Sequence, residues 1–200
     1  CSSDLALSAE QQTQLLAYMD LIAKWTKVYN LTAVRDANEM LTHHLLDSLA
    51  VVAPLRRELA QLVAPASAAQ DVNVPNVVTP MQRFSLLDVG AGAGLPGIVI
   101  AITCPDVAVT CVDTVAKKAA FIQQVAATLK LPNLKGLHAR VETLTQPYDV
   151  VCSRAFASLI DFTTWSRSAL ASHGVWMAMK GKHPDQELAV LPEDVKVFHV

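Results

Sequence analysis

Asp88, the glycines Gly90, Gly92, Gly94 and Gly97 that follow it, and Asp113 further on are the residues of this 200-residue chain whose types and spacing most plainly invite chemistry. An apolar run that ends in an acid and breaks into glycines lets the backbone come close to a nucleotide-like group, because glycine has no Cβ to hold it off. A carboxylate 19 residues past Gly94 can accept the two hydroxyls of a ribose. Two ligands fit this spacing. Gly92, Gly94 and Gly97 satisfy G-x-G-x-x-G, the turn that holds the diphosphate of a dinucleotide, as in an NAD-dependent oxidoreductase. Asp88 with Gly90, Gly92 and Gly94 satisfies D-x-G-x-G-x-G, the pattern that receives S-adenosylmethionine in Class I methyltransferases. A diphosphate needs free N–H groups at a helix start, and Pro96 removes one of them; a sulfonium is a cation, and Asp88 puts negative charge near it. Both details favour the sulfonium compound.

The elements that must position these residues follow from periodicity. Ser8 and Gln11 form a capping-box pair ahead of Leu15, Met19, Ile22, Trp25 and Tyr29, which recur at helical spacing over about 20 residues. "NLTAVRD" (30–36) is a break, with Asp36 or Asn38 as N-cap of a second helix on which Met40, His44, Leu45 and Leu49 share a face. A third helical piece runs from Pro54 to about Val63. The stretch 64–83 is rich in Ala, Pro, Asn and Gln without a sustained period, as in a surface loop. Beyond it, strands at 85–89, 107–112, 134–138, 148–152 and 174–179 alternate with helices at 96–103, 115–130 and 158–171, and "VKVFHV" (195–200) reads as a closing strand. Strands that are apolar throughout, alternating with helices, predict a mostly parallel sheet covered on both faces. The division expected is a helical cap over 1–55, an insertion or linker over 56–84 and a catalytic domain over 85–200.

Composition narrows the class. The chain is 52% hydrophobic, yet no apolar stretch approaches the roughly 18 residues of a membrane span, and nothing reads as a secretory signal, so a soluble cytoplasmic protein is expected. Cys1, Cys104, Cys111 and Cys152 form no C-x-x-C pair and read as buried free thiols. A net charge of −2 gives no global field for nucleic acid, so any such contact must come from a local patch.

Four stretches outside the glycine turn carry a more specific signal. "YNLTAVRDANEMLTHHLLDSL" (29–49), "ARVETL" (139–144), "CSRAFASL" (152–159) and "MKGK" (179–182), taken with "DVGAGAGLPG" (88–97), closely resemble the bacterial small-subunit ribosomal RNA guanine-N7 methyltransferase G family, also called glucose-inhibited division protein B. The resemblance runs from about residue 8 to about 192, interrupted near 56–84. It implies an α/β fold of the Class I S-adenosylmethionine-dependent methyltransferase (Rossmann-like) type, a mostly parallel sheet with an N-terminal helical extension. It implies methyl transfer from S-adenosyl-L-methionine to N7 of a guanine in 16S ribosomal RNA, free or in the 30S subunit. The family's C-terminal hairpin is expected to be incomplete in this sequence, whose last residues read "FHV".

By matching position, the resemblance assigns the cofactor pocket to Gly90, Gly92, Gly94, Leu95, Asp113, Thr114, Val141, Glu142 and Arg154. Arg154, Lys180 and Asp88 are the candidate catalytic residues. Guanine N7 is a lone-pair acceptor without a proton, so its methylation needs no general base. Ser153-Arg154-Ala155-Phe156 stands where amino-group methyltransferases carry an Asn- or Asp-Pro-Pro-aromatic tetrapeptide, which points away from an exocyclic amine. Phe156 and Arg154 offer stacking planes for a splayed base, and Lys117, Lys118, Arg140, Lys180 and Lys182 a local basic set for phosphates. RNA contact is accordingly assigned to Lys117, Arg140, Phe156, Lys180 and Lys182. His44 and Asp47 lack a third metal ligand and are expected to tie the N-terminal helices to loops over the site, and no metal is expected. A monomer, a non-catalytic RNA- or partner-binding member of the fold, and the oxidoreductase complete the readings.

Overall fold

Ser8 starts the first helix by a reciprocal exchange: its hydroxyl accepts the Gln11 N–H at 3.1 Å while the Gln11 side chain accepts the Ser8 N–H at 2.9 Å. The computed structural model describes residues 6–29, 41–63 and 84–197. Helix α1 (Ala9–Tyr29) buries Leu15, Tyr18, Ile22 and Thr26, so its inner stripe is rotated from the expected one and Met19 and Trp25 flank it half-buried. The expected break at 30–36, the caps Asp36 and Asn38, and Met40 lie outside the described residues. A π-helical turn (Leu41–Leu46) leads into α2 (Asp47–Ala50) and α3 (Val52–Val63). α3 starts two residues ahead of Pro54, which is tolerated because a first-turn N–H has no intrahelical acceptor to lose.

The remainder alternates strand and helix: β1 (Phe84–Val89), α4 (Gly97–Thr103), β2 (Val107–Asp113), α5 (Ala116–Thr128), β3 (Leu134–His138), β4 (Tyr148–Arg154), α6 (Leu159–Trp165), β5 (Leu170–Met179) and α7 (Asp185–Leu188). The five strands are all parallel in the order β3-β2-β1-β4-β5. The strand order reverses direction at β1, and parallel sheets bind ligands beyond the carboxyl ends of the strands on either side of such a reversal. This is a doubly wound, Rossmann-like order, with α1–α3 as an N-terminal extension.

Two expectations fail at the chain's end. The helix expected over 158–171 stops at Trp165, a short 3-10 turn (Arg167–Ala169) follows, and β5 begins at Leu170. The Ala- and Leu-rich run 169–171 favours helix locally, but pairing of Leu170 with Tyr148 on β4 overrides that weak preference. Residues 195–197 form no strand, and the rest of the expected closing strand lies outside the described residues.

Side chains alternate across the sheet although both faces are buried. On β1, Leu86 packs with α1, α3 and α4, whereas Leu87 and Val89 pack on the opposite face with Val141, Val151 and Phe162. Asp88 therefore shares the face of Leu86, beneath α4. Cys111 on β2 and Cys152 on β4 are in register with it, and both are buried free thiols, as is Cys104.

Candidate functional site

The glycine turn spends most of its amides inside the chain. Gly90 and Ala91 N–H donate to the Val112 carbonyl, Gly94 and Leu95 N–H to the Ala91 carbonyl, and Ile98 N–H to Gly94. Gly92 N–H donates to Asp113 Oδ2 at 3.0 Å, and Gly97 N–H, at the start of α4, to Asp88 Oδ2 at 2.9 Å. A diphosphate would need these donors. Gly90 has φ +67°, a left-handed conformation that glycine reaches without strain, and its missing side chain is what lets the Phe156 ring lie against it.

A cleft of about 510 Å³ opens along the carboxyl ends of β1, β2 and β3. Gly90, Asp113, Thr114, Arg140, Val141, Glu142 and Phe156 of the anticipated residues line it, together with Val115, Lys118 and Trp165. Asp113 is nearly buried at its floor, its Oδ1 accepting the Val115 N–H at 2.8 Å and its Oδ2 facing Lys118 Nζ at 3.8 Å. Each carboxylate oxygen still has a second lone pair to offer a ribose hydroxyl. Ala155, left-handed at φ +49°, turns the chain sharply after β4 so that Phe156 folds back over the cleft, edge-on to Trp165 at 5.9 Å and to Phe162 at 6.3 Å. Trp165 and Val115 are partly exposed apolar surfaces at the rim.

Gly92, Gly94, Leu95, Asp88 and Arg154 do not line this cleft. Gly94 and Leu95 are buried within the turn. Asp88 lies under it, fully buried, so its carboxyl is out of contact with solvent. Burial pushes its carboxyl up to about 7, against the Gly97 amide and the Arg154 guanidinium, which lower it. Its Oδ1 and the Arg154 Nη1 are both buried without a hydrogen-bond partner. Tyr18, from the middle of α1, is buried near Asp88: its hydroxyl donates to the Ala93 carbonyl of the glycine turn at 2.7 Å, and burial raises it well above the usual phenol range. Arg154 Nη2 meets His44 Nδ1 at 3.2 Å, so His44 does tie the helical extension to the site.

The basic residues share one edge of the sheet because all five strands are parallel. Lys117 and Arg140 are exposed there. Lys180, just past β5, is not open as expected: its ammonium bonds both Glu187 oxygens of α7, at 3.0 and 2.9 Å. Glu187 also accepts the Leu159 N–H at 2.6 Å, so an internal carboxylate sits where a phosphate was expected. Lys182 and Lys180 line a second hollow of about 590 Å³ against β5, which includes no part of the glycine turn. Sequence reasoning passed over Tyr18 and Trp165. Tyr18's one signal was its place on the helical stripe, which is equally the signal of a plain core residue.

No helix among the described residues is long and apolar enough to cross a membrane. The chain is 67% identical over 196 residues to a ribosomal RNA small subunit methyltransferase G of Polaromonas sp. (strain JS666), covering 98% of this chain and 80% of the relative. It is 65% identical to the protein of that name from Acidovorax sp. (strain JS42), covering 98% and 81%, and 64% identical to that from Albidiferax ferrireducens, covering 99% and 85%. The family model described as rRNA small subunit methyltransferase G, GidB, matches residues 11–64 and 70–200, a shorter break than the 56–84 interval expected. A turn with most of its amides bonded internally, and above all these matches, set aside the dinucleotide reading: the chain belongs to the GidB family of S-adenosylmethionine-dependent methyltransferases.

Proposed function

We propose that this chain transfers the methyl group of S-adenosylmethionine to N7 of a guanine in 16S ribosomal RNA, as a cytoplasmic monomer acting on the free RNA or the 30S subunit. The observation that carries the reading is a cleft at the strand ends together with a buried, incompletely bonded polar pair near it. In the cleft, Asp113, Thr114, Val141 and Glu142 suit a ribose and an adenine. In the pair, a buried carboxylate oxygen of Asp88 and a buried Arg154 Nη1 lack protein partners. One wants a cation or donor and the other an acceptor, which is the chemistry of an amino-acid end group. The residues present therefore fit the donor molecule, with the turn from Gly90 to Leu95 running between the two.

When bound, S-adenosylmethionine supplies an electrophilic methyl group on a cationic sulfur. The protein's share is placement. N7 brings its own lone pair, no base is required, and holding two reactants in line contributes roughly 7 to 11 kcal/mol of barrier reduction. Phe156 offers a face for the target base, with Arg154 beside it, and Lys117, Arg140 and Lys182 offer charges for backbone phosphates. Lys180 joins them when RNA phosphate displaces Glu187. Residues 1–55 act as a cap on the catalytic domain 85–200, with 56–84 joining them.

The test maps N7-methylguanosine in 16S ribosomal RNA by borohydride reduction and aniline scission, in cells lacking the gene and in cells complemented with it. One protein-dependent cleavage at a guanine is expected; identical cleavage patterns would overturn the reading. A second measurement addresses the ribose acid. Asp113→Ala is expected to weaken S-adenosylhomocysteine binding by about 1 to 3 kcal/mol in calorimetric titration. It also lowers stability, because the Gly92 and Val115 amides lose their acceptor. Unchanged affinity would remove Asp113 from the pocket.

A further inference from the structure

Arg154 ends β4 with a long side chain, and a guanidinium aimed at a ligand must be held in one of its many rotamers. The hydrogen bond that holds one of its nitrogens comes from 110 residues away, where His44 stands on the π-helical turn of the N-terminal extension. π-Turns are rare and concentrate at functional sites. His44 is 7% exposed, and its own carbonyl accepts the Ser48 hydroxyl at 2.6 Å, which braces the turn behind it. A guanidinium has donors only, so in this contact Nδ1 is the acceptor, which calls for the tautomer with its proton on Nε2.

We propose that His44 is a positioning residue: its Nδ1 lone pair fixes the Arg154 guanidinium so that the buried, unpartnered Nη1 faces the methyl donor. The cap thereby completes the donor pocket instead of only covering it. This rests on the reading that Arg154 contacts the donor, and the test separates the two.

S-adenosylhomocysteine is titrated calorimetrically into the full chain and into H44A, H44N, R154A and H44A/R154A, with thermal melts of each and kcat and KM for S-adenosylmethionine. The H44A variant is expected to raise the dissociation constant about tenfold, and KM with it. The H44N variant, whose Oδ1 stands where Nδ1 stood, recovers most of the affinity. In the R154A background the His44 substitution adds less than about twofold, because two residues acting as one unit are not additive. Equal losses in both backgrounds, equal affinity of H44A and H44N, or no loss in H44A while R154A is weakened would each overturn the proposal alone. An R154A variant with unchanged affinity removes the donor-contact reading and the proposal together. If H44A fails to fold, H44N against H44Q repeats the comparison, since glutamine places its acceptor where Nε2 stood. Retention in H44N with loss in H44Q supports the proposal, and the reverse overturns it.

Discussion

Asp88→Asn is expected to stabilise the unliganded chain at pH 8 by about 2 to 4 kcal/mol and, in the same variant, to weaken S-adenosylhomocysteine binding. Burial is the dominant influence on Asp88, and it raises the carboxyl from an ordinary 3.8 to about 7 even though the Gly97 amide and the Arg154 charge oppose it. The folded chain thus holds this proton more tightly than the unfolded chain does. Between 3.8 and about 7 unfolding releases the proton, so the group's contribution to stability is complete below 3.8 and is lost as pH climbs through 7. Asparagine keeps an acceptor for the Gly97 N–H and carries no charge to desolvate. Urea denaturation across pH 5.5 to 8 checks this: the parent loses stability over the range and the variant does not, and parallel slopes would sink the argument. The binding loss has the same origin. A carboxylate that is costly when buried alone is stabilised when a cation is held against it, so the parent's affinity for S-adenosylhomocysteine should rise by about tenfold from pH 6 to pH 8. Strain of this kind, held in the free protein and relieved by ligand, is how functional sites trade stability for activity.

Gly97→Ala is expected to destabilise the chain by about 3 kcal/mol. Gly97 is the first residue of α4 and lies directly on the sheet. A Cβ there would collide with Cys111 Sγ and stand 2.8 Å from Asp88 Oδ2, both of them buried side chains of neighbouring strands. Close-packed interiors do not yield to an added methyl, and such overpacking costs about 1 to 3 kcal/mol. Lifting α4 would also break the Gly97–Asp88 hydrogen bond, leaving a buried acceptor that costs a further 1 to 3 kcal/mol, roughly, if nothing replaces it. Removing the obstruction should help: Cys111→Ala in the Gly97→Ala background is expected to recover part of the loss. A single variant less than about 1 kcal/mol below the parent would show that the helix shifts freely.

These two residues mark the boundary between what local pattern reveals and what it hides. The glycine turn and the cleft residues Asp113, Thr114, Val141 and Glu142 are legible in the sequence, because each is tied to a strand end and strand ends follow from short apolar runs. The capping box of α1 and the bounds of β1, β2 and β3 are equally local. Asp88 was visible as an acid, but a period-two strand places it on the face opposite Val89, and only the packing of α1, α4 and the π-helical turn over that face takes it out of water. Desolvation of that kind depends on what arrives from elsewhere in the chain. The same holds for Lys180, whose charge is taken up by Glu187 on a later helix, for Tyr18 reaching Ala93, and for β5, where pairing with β4 overrides a helical preference. Sequence alone determined the order of elements and which strand ends carry chemistry, since those depend on neighbours along the chain. The tertiary structure decided which charges are buried, paired or open, since those depend on neighbours in space.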